Sequence, residues 1–186
     1  MAITVRPFEE GDQRWADTVI SAHQGSSLSA RLGELIDPLE LPGLVAERDG
    51  QRLGLLTYIV DGDQSKTVAH HQDHGIPEAI TSYVGDARPS LEVLTLHSQV
   101  EGAGAGTALL TAAAALARRL GCRRLWLVTT NDNLHALGFY RRRGLRLRAV
   151  HVGAVDRDRV LKPEIAAVNP DNRIPLHDLL ELELPL

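Results

Sequence analysis

The feature that most constrains this chain is the stretch from Leu91 to Leu120. An apolar run, LEVLTLH (91–97), ends in a glycine-rich turn, EGAGAG (101–106). An amphipathic segment follows, with Leu109, Ala113, Leu116 and Leu120 at helical spacing and Gly121 as its stop. The pattern predicts a buried strand, a turn without side chains, and a helix over 107–120. Gly102, Gly104 and Gly106 remove the side chains that would keep a ligand from the backbone. The first helical turn presents unpaired N–H groups at residues near 104–108. With the helix dipole they make an anion site suited to a pyrophosphate.

Three ligand classes use such a turn. A nucleotide P-loop needs Gly-Lys-Ser/Thr at its end, and Ala105 stands where the lysine belongs. A dinucleotide fingerprint needs a third glycine where Thr107 stands, and an acid after the next strand, for which Asp132 comes late. The third class binds coenzyme A. Residues 101–106 resemble the pyrophosphate loop [Q/R]-x-x-G-x-[G/A] of the GNAT acetyltransferases, through Gly104 and Gly106. Residues 131–144 (NDNLHALGFYRRRG) resemble that superfamily's second signature through Asn133, Ala136, Phe139, Tyr140 and Gly144. The two motifs are separated by one helix and one strand and cover residues 91–152, about a third of the chain.

The resemblance implies an α/β fold: one GNAT-like domain over residues 1–186, with a mixed, mostly antiparallel twisted sheet and helices on both faces. It implies acetyl-CoA as co-substrate, direct acetyl transfer to a primary amine, and no metal. The pantetheine arm would lie beside residues 94–97, with backbone groups near Leu96 on the thioester carbonyl. Tyr140 matches the general acid that protonates the departing thiolate. Asn133 matches a side-chain contact to the pantetheine arm. Seven residues separate the two, which places them on one helical face. Glu92, two residues before Leu94, resembles the acidic base position of several such enzymes. The cofactor set is then Leu94, Leu96, Glu101, Gly102, Ala103, Gly104, Ala105, Gly106, Thr107 and Asn133. Glu101 departs from the usual Gln or Arg. Its carboxylate would repel a pyrophosphate and weaken binding while leaving the main-chain donors intact.

The rest of the chain fits a mixed sheet. Residues 3–7 read as a strand and 9–22 as a helix. Residues 43–48 and 52–60 form a hairpin around Asp49-Gly50. Residues 124–129, 145–152 and 178–184 read as strands, and a helix capped by Asn131 or Asn133 ends at Gly144. In 23–42, Leu32, Leu35 and Ile36 follow a serine cluster, and Pro38 and Pro42 end any helix. Residues 61–89 form a long inserted loop, with a short helix near 77–84. Its His70-His71-Gln72-Asp73-His74 patch suits a polar loop better than a zinc site, because it has no partner cysteines and no helical frame. The alternating C-terminal strand either completes its own sheet or exchanges with a partner, so homodimerisation stays open.

Composition limits the partners. Aromatic residues are 4% of the chain, too few for a nucleic-acid stacking platform, and a net charge of −4 gives no general attraction to nucleic acid or anionic membrane. A lone cysteine, Cys122, excludes an internal disulfide and suits a reducing cytoplasm. No apolar run spans a bilayer, and the first residues lack a signal-peptide layout. Glu34, Asp37, Asp61, Asp63 and Asp73, in the two segments expected around the acceptor, would attract a small cationic amine. The alternatives are a protein N-terminus or lysine as acceptor, and an acyl-CoA-binding regulatory protein without turnover. The basic clusters Arg118-Arg119, Arg123-Arg124 and Arg141–Arg143 are either solvated helix ends or phosphate contacts.

Overall fold

Alternation of apolar residues in the strands decides which helix packs on which face. In β4 (Gly43–Arg48) and β5 (Gln51–Asp61), Ala46 and Leu56 point to one face, and Val45 and Leu55 to the other. Helix α1 (Gln13–Gln24) covers Val45 and Leu55 with Ala16 and Ile20. Helix α2 (Ala105–Arg119) covers the opposite face with Leu109, Leu110, Ala113, Ala114 and Ala117. Burying each of those leucines is worth roughly 2 kcal/mol, so this face carries the larger core. The structure is a computed structural model that describes residues 2–61, 88–100 and 102–186.

The main sheet has seven strands in the order β1-β4-β5-β6-β7-β9-β8. Here β1 is Thr4–Pro7, β6 Ser90–Ser98, β7 Arg124–Thr130, β8 Arg146–His151 and β9 Leu179–Pro185. Its neighbours are antiparallel except β6 and β7, which run parallel. This is the mixed, mostly antiparallel sheet expected from sequence, with its parallel pair at the expected place. Strand β9 completes its own sheet between β7 and β8. Helix α3 (Leu134–Arg141) joins the α2 face through Tyr140. Helix α4 (Ala154–Leu161) lies on the opposite face, where Ala154 and Val155 meet Leu179 and Val128. No helix among the described residues is long and apolar enough to cross a membrane.

Two elements lie where the sequence pattern was mixed or silent. Residues 29–36, in the mixed segment 23–42, form a two-stranded hairpin, β2 (Ser29–Arg31) and β3 (Glu34–Ile36). Its connection is Leu32-Gly33, both left-handed at φ 51° and 84°. A leucine in that conformation costs about 1 kcal/mol or more, and tertiary contacts hold it there. Leu32 packs on the α4 cluster, and the Gly33 N–H donates to Asp158 Oδ1 at 2.6 Å. The second is α4 itself, whose polar sequence AVDRDRVL carries little helical pattern. The hairpin at Asp49-Gly50 forms as expected, with both residues at positive φ. The helix expected near 77–84 and the His70–His74 patch lie outside the described residues.

Candidate active site

The glycine-rich turn delivers the chain into α2 through Gly104, whose φ of 91° is open only to glycine without strain. The Ala108 N–H donates to the Gly104 carbonyl at 3.0 Å. Ala105, Gly106 and Thr107 therefore lie before the first intrahelical donor, and their N–H groups have no helical partner. Gly106 has a second reason to be glycine. A β-carbon there would stand 3.1 Å from Phe139 Cζ, so its absence lets α3 pack against the start of α2. Ala105 is buried, within the core beneath the turn.

Beside this turn the sheet opens. Strands β6 and β7 pair over Ser90–Glu92 and Arg124–Trp126, and β7 then continues with β9. Facing β5, Thr57 pairs with Thr95 and Tyr58 with Val93, so Leu94 is the extra residue of a bulge. The bulge bends β6 away from β7 just beyond Glu92. Leu96 turns to the α2 core, and Thr95 is buried with its hydroxyl 2.8 Å from that of Thr57. Residues 93–97 thus line an opening between two parallel strands, with main-chain groups released from pairing with β7.

Glu92 sits at the closed end of that opening. It is 1% exposed and alternates to the face that carries β2 and β3. Its Oε2 accepts from Arg31 Nη2 at 2.5 Å. Its Oε1 is buried and has no hydrogen-bond partner among the described residues. On β7 its register partner is Trp126, whose indole N–H is also buried and unpartnered among them. Burial pushes the Glu92 carboxyl up to about 7, against the opposing pull of Arg31 and with a smaller push from Asp61 and Glu34. A carboxyl poised near neutrality, with one oxygen free inside the protein, can take a proton from a bound group.

Across the sheet, Tyr140 lies in the α2-side core, edge-on to Phe139 at 5.3 Å. Burial pushes its phenol up to about 12, which keeps the proton on and available for donation. Asn133 caps α3, with Oδ1 accepting from the Ala136 N–H at 3.1 Å. Asn131 instead holds the C-terminal segment, accepting from His177 N and Asp178 N at 3.1 Å. Asp132 is engaged by Asn169 at 2.6 Å, as part of the same anchoring.

The structure packs the start of α2 against α3 through Gly106 and Phe139, with Tyr140 in the core on the α2 face of the sheet and Glu92 on the opposite face. Glu101 lies outside the described residues. Three side chains escaped the sequence reading. Arg31 comes from a segment without recognisable pattern, 61 residues before its partner. Trp126 gave no signal beyond an apolar strand. Arg143 belonged to a basic run from which no member could be chosen. Its guanidinium stacks 3.6 Å from the Phe139 ring centre and donates to Thr107 Oγ1, which places it beside the first turn of α2, while Arg48 donates to the Ala103 carbonyl at 3.1 Å.

Comparison with known proteins agrees with this geometry. The sequence model described as acetyltransferase (GNAT) family matches residues 13–145. An uncharacterised protein of Bacillus subtilis, YxbD, is 36% identical over 146 residues, 78% of this chain and 74% of its own. A second, YdhI, is 34% identical over 140 residues, 75% of this chain and 71% of its own. Among solved structures, a Bacillus subtilis acetyltransferase in complex with CoA is similar at TM-score 0.61 and 15% identity, covering 100% of this chain and 99% of that one. Arabidopsis thaliana Naa50, in complex with a bisubstrate analogue, is similar at TM-score 0.64 and 10% identity over the full length of both. The glycine turn at the start of α2, the split between β6 and β7 and a family match over most of the length lead to one conclusion: the chain belongs to the acetyltransferase (GNAT) family.

Proposed function

We propose that this protein transfers the acetyl group of acetyl-CoA directly to the primary amine of a small cationic molecule. The observation that carries the reading is Glu92 Oε1, buried and unpartnered among the described residues, where β6 and β7 last pair. The residues present fit the coenzyme. The N–H groups of Ala105, Gly106 and Thr107 would hold the pyrophosphate, with Arg143 beside them, and the unpaired main chain of 94–97 would hold the pantetheine arm. Bound there, acetyl-CoA supplies an activated acyl group.

The protein's own groups do the rest. Glu92 accepts one proton from the ammonium form of the acceptor, which frees the nitrogen lone pair. Main-chain N–H groups near Leu96 stabilise the charge that develops on the carbonyl oxygen. As the N–C bond forms and the C–S bond breaks, Tyr140 gives its proton to the sulfur. The second amine proton, released with the amide, restores the phenol through solvent. Nitrogen thus loses two protons; one replaces that of Tyr140, and one leaves through Glu92.

The acceptor side favours a small molecule. The β2–β3 hairpin covers the Glu92 face through Arg31 and is tied to α4 through Gly33 and Asp158. Around Glu92 stand Glu34 and Asp61 against one arginine, a balance that favours a cation. A cytoplasmic setting agrees with the lone buried thiol of Cys122.

The test has two stages. Thermal stabilisation by acetyl-CoA, with NAD as comparator, checks the co-substrate. A panel of small amines and peptides, read by release of the CoA thiol, then checks the acceptor. Turnover with small polyamines or amino sugars and none with peptides supports the reading. Turnover only with peptides replaces the acceptor class. Stabilisation without any turnover replaces the enzyme by an acyl-CoA-binding protein.

A further inference from the structure

We propose that Arg31 is a positioning residue for the base: it occupies one oxygen of the Glu92 carboxylate and so reserves the other for the acceptor's proton. The proposal rests on the reading of Glu92 as base.

Three observations support it. The first is the division of the carboxylate. Arg31 Nη2 holds Oε2 at 2.5 Å, while Oε1 has no partner among the described residues although the side chain is 1% exposed. A buried carboxylate oxygen without a donor costs stability, so such an oxygen is one that a bound group can reach. Among the described residues, Arg31 Nε and Nε1 of Trp126, the register partner of Glu92 on β7, are likewise buried without partners.

The second observation is how Arg31 is supported. Its other terminal nitrogen donates to Glu34 at 2.7 Å, an exposed carboxylate on the paired strand. The hairpin that carries both is fixed from behind by two buried side chains of the α4 region. Asp158, 1% exposed, accepts from the Gly33 N–H, and Lys162, 5% exposed, donates from Nζ to the Leu28 carbonyl at 2.5 Å. Leu32 holds a positive φ between them, a conformation that persists only where its surroundings impose it. Arg31 is therefore presented by a rigid support rather than by a free loop.

The third is where that support lies. Helix α4 and Lys162 follow residue 145, where the family match ends. The clamp on the acceptor face is built from a part of the chain outside the matched region.

Among the described residues, the groups facing Glu92 are Arg31 from β2, Glu34 from β3, Asp61 from β5 and neutral Trp126 from β7, with Arg124 stacked over the indole at 4.9 Å. Arg31 is the cation that opposes burial and the two acids. Its removal raises the Glu92 carboxyl further.

The experiment compares wild type, R31M and R31K in two readouts. One is the pH profile of kcat/KM with the best amine found. The other is the carboxyl resonance of Glu92, followed by carbon NMR through a pH titration and assigned with E92Q. In R31M the acidic limb should move about one unit or more toward alkaline pH, with a rate roughly 10-fold lower at pH 7 and recovery above it. The Glu92 resonance should move with it, while stabilisation by acetyl-CoA stays at the wild-type level. R31K should fall between the two, because it keeps the charge and loses the fixed geometry. A Glu92 resonance that titrates unchanged in the variants overturns the proposal. A resonance that moves while the rate profile stays fixed removes Glu92 as base, and the positioning role falls with it. If R31M does not fold, R31K alone decides, by the same two shifts.

Discussion

Two carboxylates in this molecule are equally hidden and oppositely treated. The side chains of Asp12 and Glu92 are 2% and 1% exposed, and each pairs with arginine. Asp12 is saturated. It receives Arg6 Nη1 and Nη2 at 2.6 and 2.9 Å, Arg52 Nε at 2.7 Å and the Glu9 N–H at 3.0 Å. The arginine hydrogen bonds outweigh burial and hold its carboxyl well below the usual range. Glu92 receives one donor, and burial outweighs it. The count of donors, together with the deeper burial of Glu92, separates a carboxylate that joins β1, β4, β5 and α1 from one held ready for a proton.

The sharpest way to break the comparison is to neutralise each acid. E92Q should lower kcat/KM by about 100-fold or more, the usual loss of a general base, and leave stability equal or higher because a desolvated charge is gone. Steady-state kinetics beside urea unfolding checks both halves. An E92Q enzyme with the wild-type rate and pH profile would remove Glu92 from the mechanism. Tyr140 extends the comparison to an acid held neutral. Y140F should lower kcat by roughly 10- to 100-fold while acetyl-CoA still stabilises the fold. A loss of acetyl-CoA stabilisation instead would make Tyr140 a binding residue.

D12N supplies the converse. It leaves two arginines facing a half-satisfied amide, and should cost about 2–3 kcal/mol, the lower part of the range for broken buried pairs because Arg6 and Arg52 are partly exposed. The rate of the folded fraction should stay at wild type. Urea unfolding gives the first number and kinetics at low temperature the second. A rate that falls with D12N would tie the Asp12 cluster to the site.

The same contrast explains what was legible in the sequence. The turn 102–106, α2 and the α3 signature are local patterns, and their spacing survives into the structure because each needs only its own backbone. The hairpin 29–36 was not legible. Its turn, Leu32-Gly33, lacks the Asn or Asp usual at such a place, and the conformation is imposed by Asp158, 125 residues away. Helix α4 was equally hidden, since AVDRDRVL buries just Ala154, Val155 and Asp158. Gly106 was legible as a required glycine, but its contact with Phe139 was not, because that contact joins two helices. Glu92 was named from resemblance, and nothing in the sequence announced Arg31 or the free Oε1. Features made by one segment could be read, and features made by two distant segments could not.

The smallest expected effect is the one that tests the contrast without activity. A carboxyl whose folded value is raised destabilises the fold once it must ionise. For Glu92, raised from 4.5 to about 7, the contribution to stability is fully present below 4.5 and is lost as pH rises through about 7. For Asp12, lowered from 3.8, stability is fully present above that value and is lost as pH falls toward the folded value. The two act in separate windows and with opposite sign. Urea midpoints taken from pH 3 to pH 8 should therefore fall away on both sides of a maximum near pH 4 to 5. The neutral side should decline by about 1 kcal/mol per pH unit at most. E92Q should flatten that side alone, and D12N the acid side alone. If E92Q declines in parallel with wild type between pH 5 and 7, burial has not raised Glu92, and the free Oε1 belongs to an ordinary paired carboxylate. If it flattens, a proton-accepting carboxyl near neutrality is established independently of any substrate.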